Sequence, residues 1–305
     1  MHEFYISSHT DTGDKKEINQ DSVFVKTATI NQHDVSLMIV ADGCGGLEFG
    51  EQISNLIVTH FSRLWSETPE VFAPSKKINI DSLSNFLDQS LKEINTKALA
   101  FGNETGSRVG STVSLLLTVD CHFIVKNVGD SRVYLNRGGK MIQLSEDQSL
   151  VADMIRNGEL TKEESKNFKK KNILTMCVGC FEDLKIYTKT GKIKSKDIFL
   201  LCCDGLYHHV GEKVMVDILQ ANNISFDEKA ERMRQCIAYG DANDNVSSVI
   251  IKHILHHKRI KNTAIIILLI FILAAIVFRN QIREAWQELL EPAPCSCALH
   301  NDELF

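Results

Sequence analysis

Four short acidic patches are spread over most of the chain: Asn19-Gln20-Asp21, Asp42-Gly43-Cys44, Cys203-Asp204-Gly205 and Asp244-Asn245-Val246. Each lies beside a short run of Val, Ile, Leu or Phe. That places it at the end of a buried strand, where connecting loops carry chemistry. Carboxylates gathered there repel each other: two charges about 4 Å apart cost about 4 kcal/mol at an effective dielectric of about 20. Bound cations offset that repulsion, and oxygen-only ligands suit Mg²⁺ or Mn²⁺. Two such ions roughly 3.5–4 Å apart make a hydrolytic centre.

The elements that must position these residues follow from apolar spacing. Residues 4–8, 22–27 and 35–40 read as strands. Residues 51–65 are predicted helical, with Ile53, Leu56, Ile57 and Phe61 on one face, and residues 80–101 form a second helix with Leu83, Leu87, Leu91 and Ile94. Strands over 112–119, 123–128, 131–137 and 140–144 come next. Gly138 and Gly139 supply the positive φ of a hairpin between the last two, and tight connections imply antiparallel pairing. A helix over 148–157 follows, and Thr161 opens another with Glu164 in a capping box. Helices over 213–221 and 228–239 and strands over 197–202 and 247–254 complete one domain over residues 1–255. The polar, Lys-rich stretch 161–172 reads as a surface flap.

Composition narrows the class. The chain has 305 residues, 44% hydrophobic and 24% charged, which is globular and ample for a large core. A net charge of −5 argues against nucleic acid as the main partner. The nine cysteines have no framework spacing, so free thiols in a reducing compartment are expected. Cys177 and Cys180 stand at zinc or redox spacing without a second pair, and their neighbours Met176 and Val178 read as core. No basic n-region and apolar h-region open the chain, so no secretory signal is expected.

Residues 263–279 break this pattern. They are almost uniformly apolar up to Arg279, and a transmembrane helix is expected there. The basic stretch 256–262 reads as a juxtamembrane linker and 280–305 as a short tail. The positive-inside rule then puts residues 1–255 in the cytoplasm.

Taken in order, the patches resemble the metal-dependent protein phosphatases of type 2C. The resemblance runs from Thr10-Asp11-Thr12-Gly13 with Lys16 and Asn19-Gln20-Asp21 to Val40-Ala41-Asp42-Gly43 and Gly110-Ser111-Thr112. It continues through Gly129-Asp130-Ser131-Arg132, Asp147-Gln148, Cys203-Asp204-Gly205-Leu206 and Asp244-Asn245. It implies an α+β fold: two stacked antiparallel β-sheets flanked by α-helices, a four-layer sandwich with metals at one end. It also implies hydrolysis of phosphoserine and phosphothreonine in proteins, the products of a Ser/Thr kinase, by a water activated at a centre of two or three Mn²⁺ or Mg²⁺ ions. By the resemblance Asp42 bridges two metals, the Gly43 carbonyl binds one, Asp204 and Asp244 hold the other, and Asp21 orients bound waters from behind. Asp130 resembles the position that holds a third, weaker metal with Asp204 in bacterial members, which the compact motif pattern also resembles.

Three positions depart from the family pattern. Lys16 stands where Arg is usual, giving phosphate one mobile point charge instead of a bidentate fork; the plainer alternative is a surface lysine. Gln20 replaces a common Glu. Cys44 replaces Met or His and removes an imidazole acid. His208-His209 lies near the expected site. These departures keep open a second reading, a catalytically weak or dead phosphoprotein-binding scaffold of the same fold.

Overall fold

The computed structural model describes residues 3–44, 47–74, 77–165, 168, 173–254 and 259–290. In chain order they form β1 (Glu3–Asp11), β2 (Asp21–Ile30), β3 (His33–Asp42), α1 (Gly50–Glu67), α2 (Ile80–Thr105), β4 (Val113–Val119), β5 (His122–Val128), β6 (Arg132–Arg137) and β7 (Lys140–Gln143). Then come α3 (Leu150–Arg156), α4 (Lys162–Ser165), β8 (Tyr187–Lys192), β9 (Ile198–Cys202), α5 (Asp204–Tyr207), α6 (Glu212–Gln220), α7 (Lys229–Arg234), β10 (Val246–Ile254) and α8 (Arg259–Leu290). The strands make two five-stranded antiparallel sheets, ordered β1-β10-β9-β6-β7 and β2-β3-β4-β5-β8.

The layering follows from the period of two in each central strand. On β3, Leu37 and Ile39 join Ile53, Ile57 and Phe61 of α1 and Leu83, Leu87 and Leu91 of α2 in one core. The alternate residues Met38 and Val40 join Leu116, Val133, Phe199, Leu201 and Val249 in a core between the sheets. On β9, Leu200 and Cys202 face the other way, onto Met215, Ile218, Leu219 and Met233 of α6 and α7. Three cores between four layers explain why β3, β4 and β9 are buried almost from end to end: both their faces are covered. The expected α+β sandwich is present.

Local chemistry sets several boundaries. The Asn79 side chain accepts the Ser82 amide to start α2, and Gly106 in the left-handed region ends it. Thr161 Oγ1 accepts the Glu164 amide while the Glu164 carboxylate accepts the Thr161 amide, the expected capping box. The helix after residue 228 ends at Arg234, short of residue 239. Strand β8 was not anticipated: Tyr187–Lys192 is polar, and as the edge beyond β5 it buries no continuous face.

The chain divides into two compact units, Met1–Leu255 and His256–Phe305. The second holds α8. Among the described residues no helix is long and apolar enough to cross a membrane. This overturns the expected span over 263–279 and, with it, the membrane location and membrane partner. The uncharged stretch 263–278 rises only ~24 Å as a helix, against a hydrocarbon core of ~30 Å. Arg279, Asn280, Gln281, Arg283 and Glu284 follow directly. Lys169 to Lys171, Cys295 and Cys297 lie outside the described residues.

Phe199 is fully buried between the sheets and meets Phe123 edge-on at 5.4 Å. Phe199→Ala is expected to destabilise the fold by about 3–5 kcal/mol. Denaturant unfolding would read this as a lower midpoint at unchanged slope; a loss under 1 kcal/mol would contradict the inter-sheet core described here.

Candidate active site

The sheet register brings the acids together. Asp42 ends β3 and Asp21 begins β2, directly opposite it. Asp204 opens α5 just beyond β9, and Asp244 lies just before β10, the neighbour of β9 in the other sheet. Asp130 sits in the turn between β5 and β6. Lys16, Asp42, Asp130, Asp204 and Asp244 line one cavity of about 440 Å³, together with Cys44, Leu47, Arg108, Thr112 and the Cys177 and Cys180 pair. Asp21 stands behind it, 8% exposed.

Close backbone approach makes this convergence possible. A Cβ on Gly205 would stand 2.1 Å from the Asn245 carbonyl oxygen, so only glycine lets the Asp204 and Asp244 loops meet. A Cβ on Gly43 would stand 2.5 Å from the Gly50 backbone and 2.7 Å from the Gln20 carbonyl oxygen. The Gly43 amide donates to that same Gln20 carbonyl at 3.1 Å. Thr112 fixes Asp42 from both sides: its amide donates to the Asp42 carbonyl at 2.8 Å, and its hydroxyl accepts the Asp42 amide at 3.1 Å.

Asn245 performs the corresponding task for the loop after β1. Its Oδ1 accepts the Gln20 amide at 2.9 Å, and its Nδ2 donates to the carbonyls of Thr12 and Ile18, each at 3.0 Å. Lys16, carried on that loop, reaches Asp244 Oδ1 at 3.1 Å. A third network supports Asp130. Arg132 holds Asp147 through Nε and Nη2, donates to Tyr134, and lies 3.7 Å over the Tyr207 ring. The Tyr207 hydroxyl then donates to the Asp130 carbonyl at 3.1 Å.

The carboxylates are poorly compensated. Burial pushes Asp42 well above the ordinary carboxylate range, and Asp21, Asp204, Asp130 and Asp244 add to it. Asp21 is pushed up to about 7 by burial, against the nearby Ser247 hydroxyl and Cys203 thiol and with Asp204 and Asp244 raising it further. Asp130 is pushed up to about 8 by burial, then by Asp204 and Asp147, with Arg132 opposing. Neither buried oxygen of Asp21 has a well-formed hydrogen bond. Oxygen donors that are buried, mutually repelling and short of protein partners fit hard divalent cations.

An oxygen of Asp21, an oxygen of Asp42 and the Cys203 sulfur lie within 4.8 Å of one another. Cys203 is already engaged, its thiol donating to the Asn245 carbonyl and its sulfur accepting the Ser247 amide, and burial raises its pKa. It is a spacer in this cluster, not a thiolate. His208 Nδ1 is 3.7 Å from Asp204 Oδ2, one helical turn along.

The expected free-thiol state holds for Cys44, Cys121, Cys202, Cys203 and Cys236 but not for Cys177 and Cys180, which form a disulfide. The turn between them folds back on itself and brings the sulfurs together. Sequence reasoning also passed over Arg108, which lines the cavity two residues before the Gly110-Ser111-Thr112 motif, and the positioning role of Asn245, which lay inside a recognised patch.

Comparison with known proteins agrees with this geometry. Residues 8–245 match the family profile for Protein phosphatase 2C. Serine/threonine phosphatase stp of Listeria welshimeri is 31% identical over 252 residues, covering 82% of this chain and 96% of that protein. The structure of Stp1 from Staphylococcus aureus, a serine/threonine phosphatase, superposes with a TM-score of 0.71 at 25% identity, covering 82% of this chain and 94% of that one. The catalytic domain of PstP, solved with two manganese ions, shares the fold with a TM-score of 0.68 at 24% identity, covering 83% of this chain and 100% of that one. The chain belongs to the protein phosphatase 2C family of serine/threonine phosphatases, which use divalent metal ions, and is an enzyme of that class.

Asn245→Ala removes three hydrogen bonds at a residue 3% exposed. It is expected to cost ~3 kcal/mol and to speed hydrogen exchange at the Gln20 amide ahead of global unfolding. Unchanged exchange at Gln20 would show that Asn245 does not clamp this loop.

Proposed function

We propose that this protein hydrolyses phosphoserine and phosphothreonine in phosphorylated proteins, using two or three Mn²⁺ or Mg²⁺ ions held by its strand-end carboxylates. The observation that carries the reading is the convergence of Asp42, Asp130, Asp204 and Asp244 on one cavity, with Asp21 buried behind them and its oxygens unpartnered. Asp42, the Gly43 carbonyl, Asp204 and Asp244 would hold the two ions, with Asp42 placed to serve both. Asp130 with Asp204 would hold a third. When bound, the ions supply positive charge and lower the pKa of water to the neutral range.

The chain's own groups do the rest. Asp21, facing Asp42 from behind, orients the water shell. Lys16 is held 3.1 Å from Asp244 at the cavity wall, where its ammonium meets the phosphoryl oxygens as charge develops on them. Thr112 and Asn245 keep the ligands and the Lys16 loop in place and touch no substrate. The substrates are proteins phosphorylated by a Ser/Thr kinase, and nucleic acid is not among the partners. A binding-only scaffold has no physical reason to keep four carboxylates repelling one another in one cavity.

Full-length protein assayed on para-nitrophenyl phosphate and a phosphothreonine peptide is expected to turn over with Mn²⁺ and to stop with chelator. Asp42→Asn and Asp204→Ala are expected to lower kcat on the order of 10²–10³-fold or more with the fold retained. Folded wild-type protein that binds phosphopeptide but shows no turnover at any metal concentration would establish the scaffold instead. Lys16→Arg is expected to lower KM by about fivefold, roughly 1 kcal/mol, at similar kcat. Unchanged kinetics would remove Lys16 from the phosphate site.

A further inference from the structure

The disulfide between Cys177 and Cys180 forms part of the wall of the catalytic cavity, beside Cys44, Leu47 and Arg108. The turn it closes is fastened to the loop that follows Asp42. Val178, between the cysteines, exchanges both backbone hydrogen bonds with Ser111, at 3.1 and 2.9 Å. Ser111 in turn bridges to Gly43, and its hydroxyl donates to the Asp42 carbonyl at 2.9 Å. The sulfurs also rest on Gly110, where a Cβ would stand 2.7 Å from Cys180 Sγ and 3.2 Å from Cys177 Sγ. The Gly110 carbonyl accepts the Cys44 amide at 3.0 Å. On the opposite side buried Asn95 holds the turn, accepting the Gly179 amide and donating to the Phe181 carbonyl, both at 2.8 Å.

Opening this bond has a geometric consequence. Bonded sulfurs sit about 2 Å apart, whereas two thiols need van der Waals separation, roughly 3.5 Å or more. Asn95 anchors the backbone of the turn at Gly179 and Phe181, and the sulfurs rest directly on the Gly110 backbone. The backbone at 110–111, against which the sulfurs press, carries the contacts to Asp42, Gly43 and Cys44.

We propose that Cys177 and Cys180 form a thiol–disulfide exchange site whose state sets the affinity of the adjacent carboxylate centre for divalent ions, its reaction partner being a small or protein-borne dithiol. The inference rests on the metal-dependent function proposed above. Cys177 is 4% exposed, so the half-buried Cys180 is the sulfur open to attack. A thiolate of the partner bonds to Cys180 Sγ, the intramolecular S–S bond breaks, and its electron pair leaves on Cys177, which takes a proton. The partner's second thiol attacks its own sulfur in the mixed disulfide and releases Cys180. The balance is protein disulfide plus dithiol giving protein dithiol plus cyclic or partner disulfide, a transfer of two electrons and two protons.

The test uses the full chain in two states: reduced with dithiothreitol that is then removed anaerobically, and reoxidised with its cyclic disulfide. Thiol alkylation and mass spectrometry identify the state, and the electron paramagnetic resonance signal of free Mn²⁺ measures binding directly. The oxidised form is expected to bind Mn²⁺ about tenfold more tightly, with the metal dependence of turnover shifting in parallel. The double variant C177S/C180S is expected to match the reduced form and ignore the reductant, while C236S keeps the response. Equal Mn²⁺ affinity in the two wild-type states, or a pair that dithiothreitol cannot reduce without denaturant, would overturn the exchange site and leave the phosphatase reading standing. Absence of Mn²⁺ binding in both states would overturn both. If the double variant does not fold, the two wild-type states still decide the question.

Discussion

Repulsion among buried carboxylates is the constraint on which the rest of this molecule depends. Asp21, Asp42 and Asp130 are each pushed towards protonation, first by burial and then by acidic neighbours. A chain free to relax would separate them. Here they stay together because none is placed by a partner of its own charge cluster. Asp42 is held by its backbone between Thr112 and Ser111, Asp130 by the Tyr207 and Arg132 network, and the loop facing Asp244 by Asn245. The Asp21 oxygens are left without hydrogen-bond partners, and the cost is borne by the fold.

The sandwich suits that task because its central strands are covered on both faces. β3 and β9 each carry one row of side chains into the inter-sheet core and the other row under helices. Their ends cannot slide without moving two cores at once, since interiors packed at near-crystalline density deform little. Asp42 and Asp204 sit at or just beyond those ends, one from each sheet. The carboxylate cluster therefore lies at a seam between two rigid sheets, and glycines at the crossing points set how closely the loops approach.

Much of this was readable in the sequence, and the parts that were not share a cause. Acids flanking apolar runs had to lie at strand ends, so Asp42, Asp204 and Asp244 could be grouped before any coordinates. The capping box at Thr161 and Glu164 and the amphipathic α1 and α2 are local signals and appeared where expected. β8 was missed because an edge strand is specified by its neighbour β5, not by its own residues. The disulfide was missed because Cys-x-x-Cys spacing does not reveal whether the turn closes. Residues 263–279 misled because apolarity is easily read whereas length decides: the uninterrupted stretch stops at Arg279, short of a bilayer's hydrocarbon thickness. Asn245 was passed over because its role is to satisfy backbone groups on a loop more than 200 residues earlier, which no local pattern announces.

The supports around the site differ in kind. Asn245 and Thr112 act through hydrogen bonds between side chain and backbone, which form and break on their own loops and are worth about 0.5–1.5 kcal/mol each. The turn at Cys177 and Cys180 acts through a covalent bond pressed against Gly110, with Asn95 bracing the far side. A hydrogen-bonded clamp tolerates small displacement at small cost, whereas a covalent one has two distinct geometries and nothing between them. The loop after Asp42 is held by both, so its resting position follows the softer set while any abrupt change must come from the harder one. That division is why the cavity wall nearest Gly43, and not the Lys16 side, is the place where the state of the Cys177–Cys180 bond reaches the carboxylates.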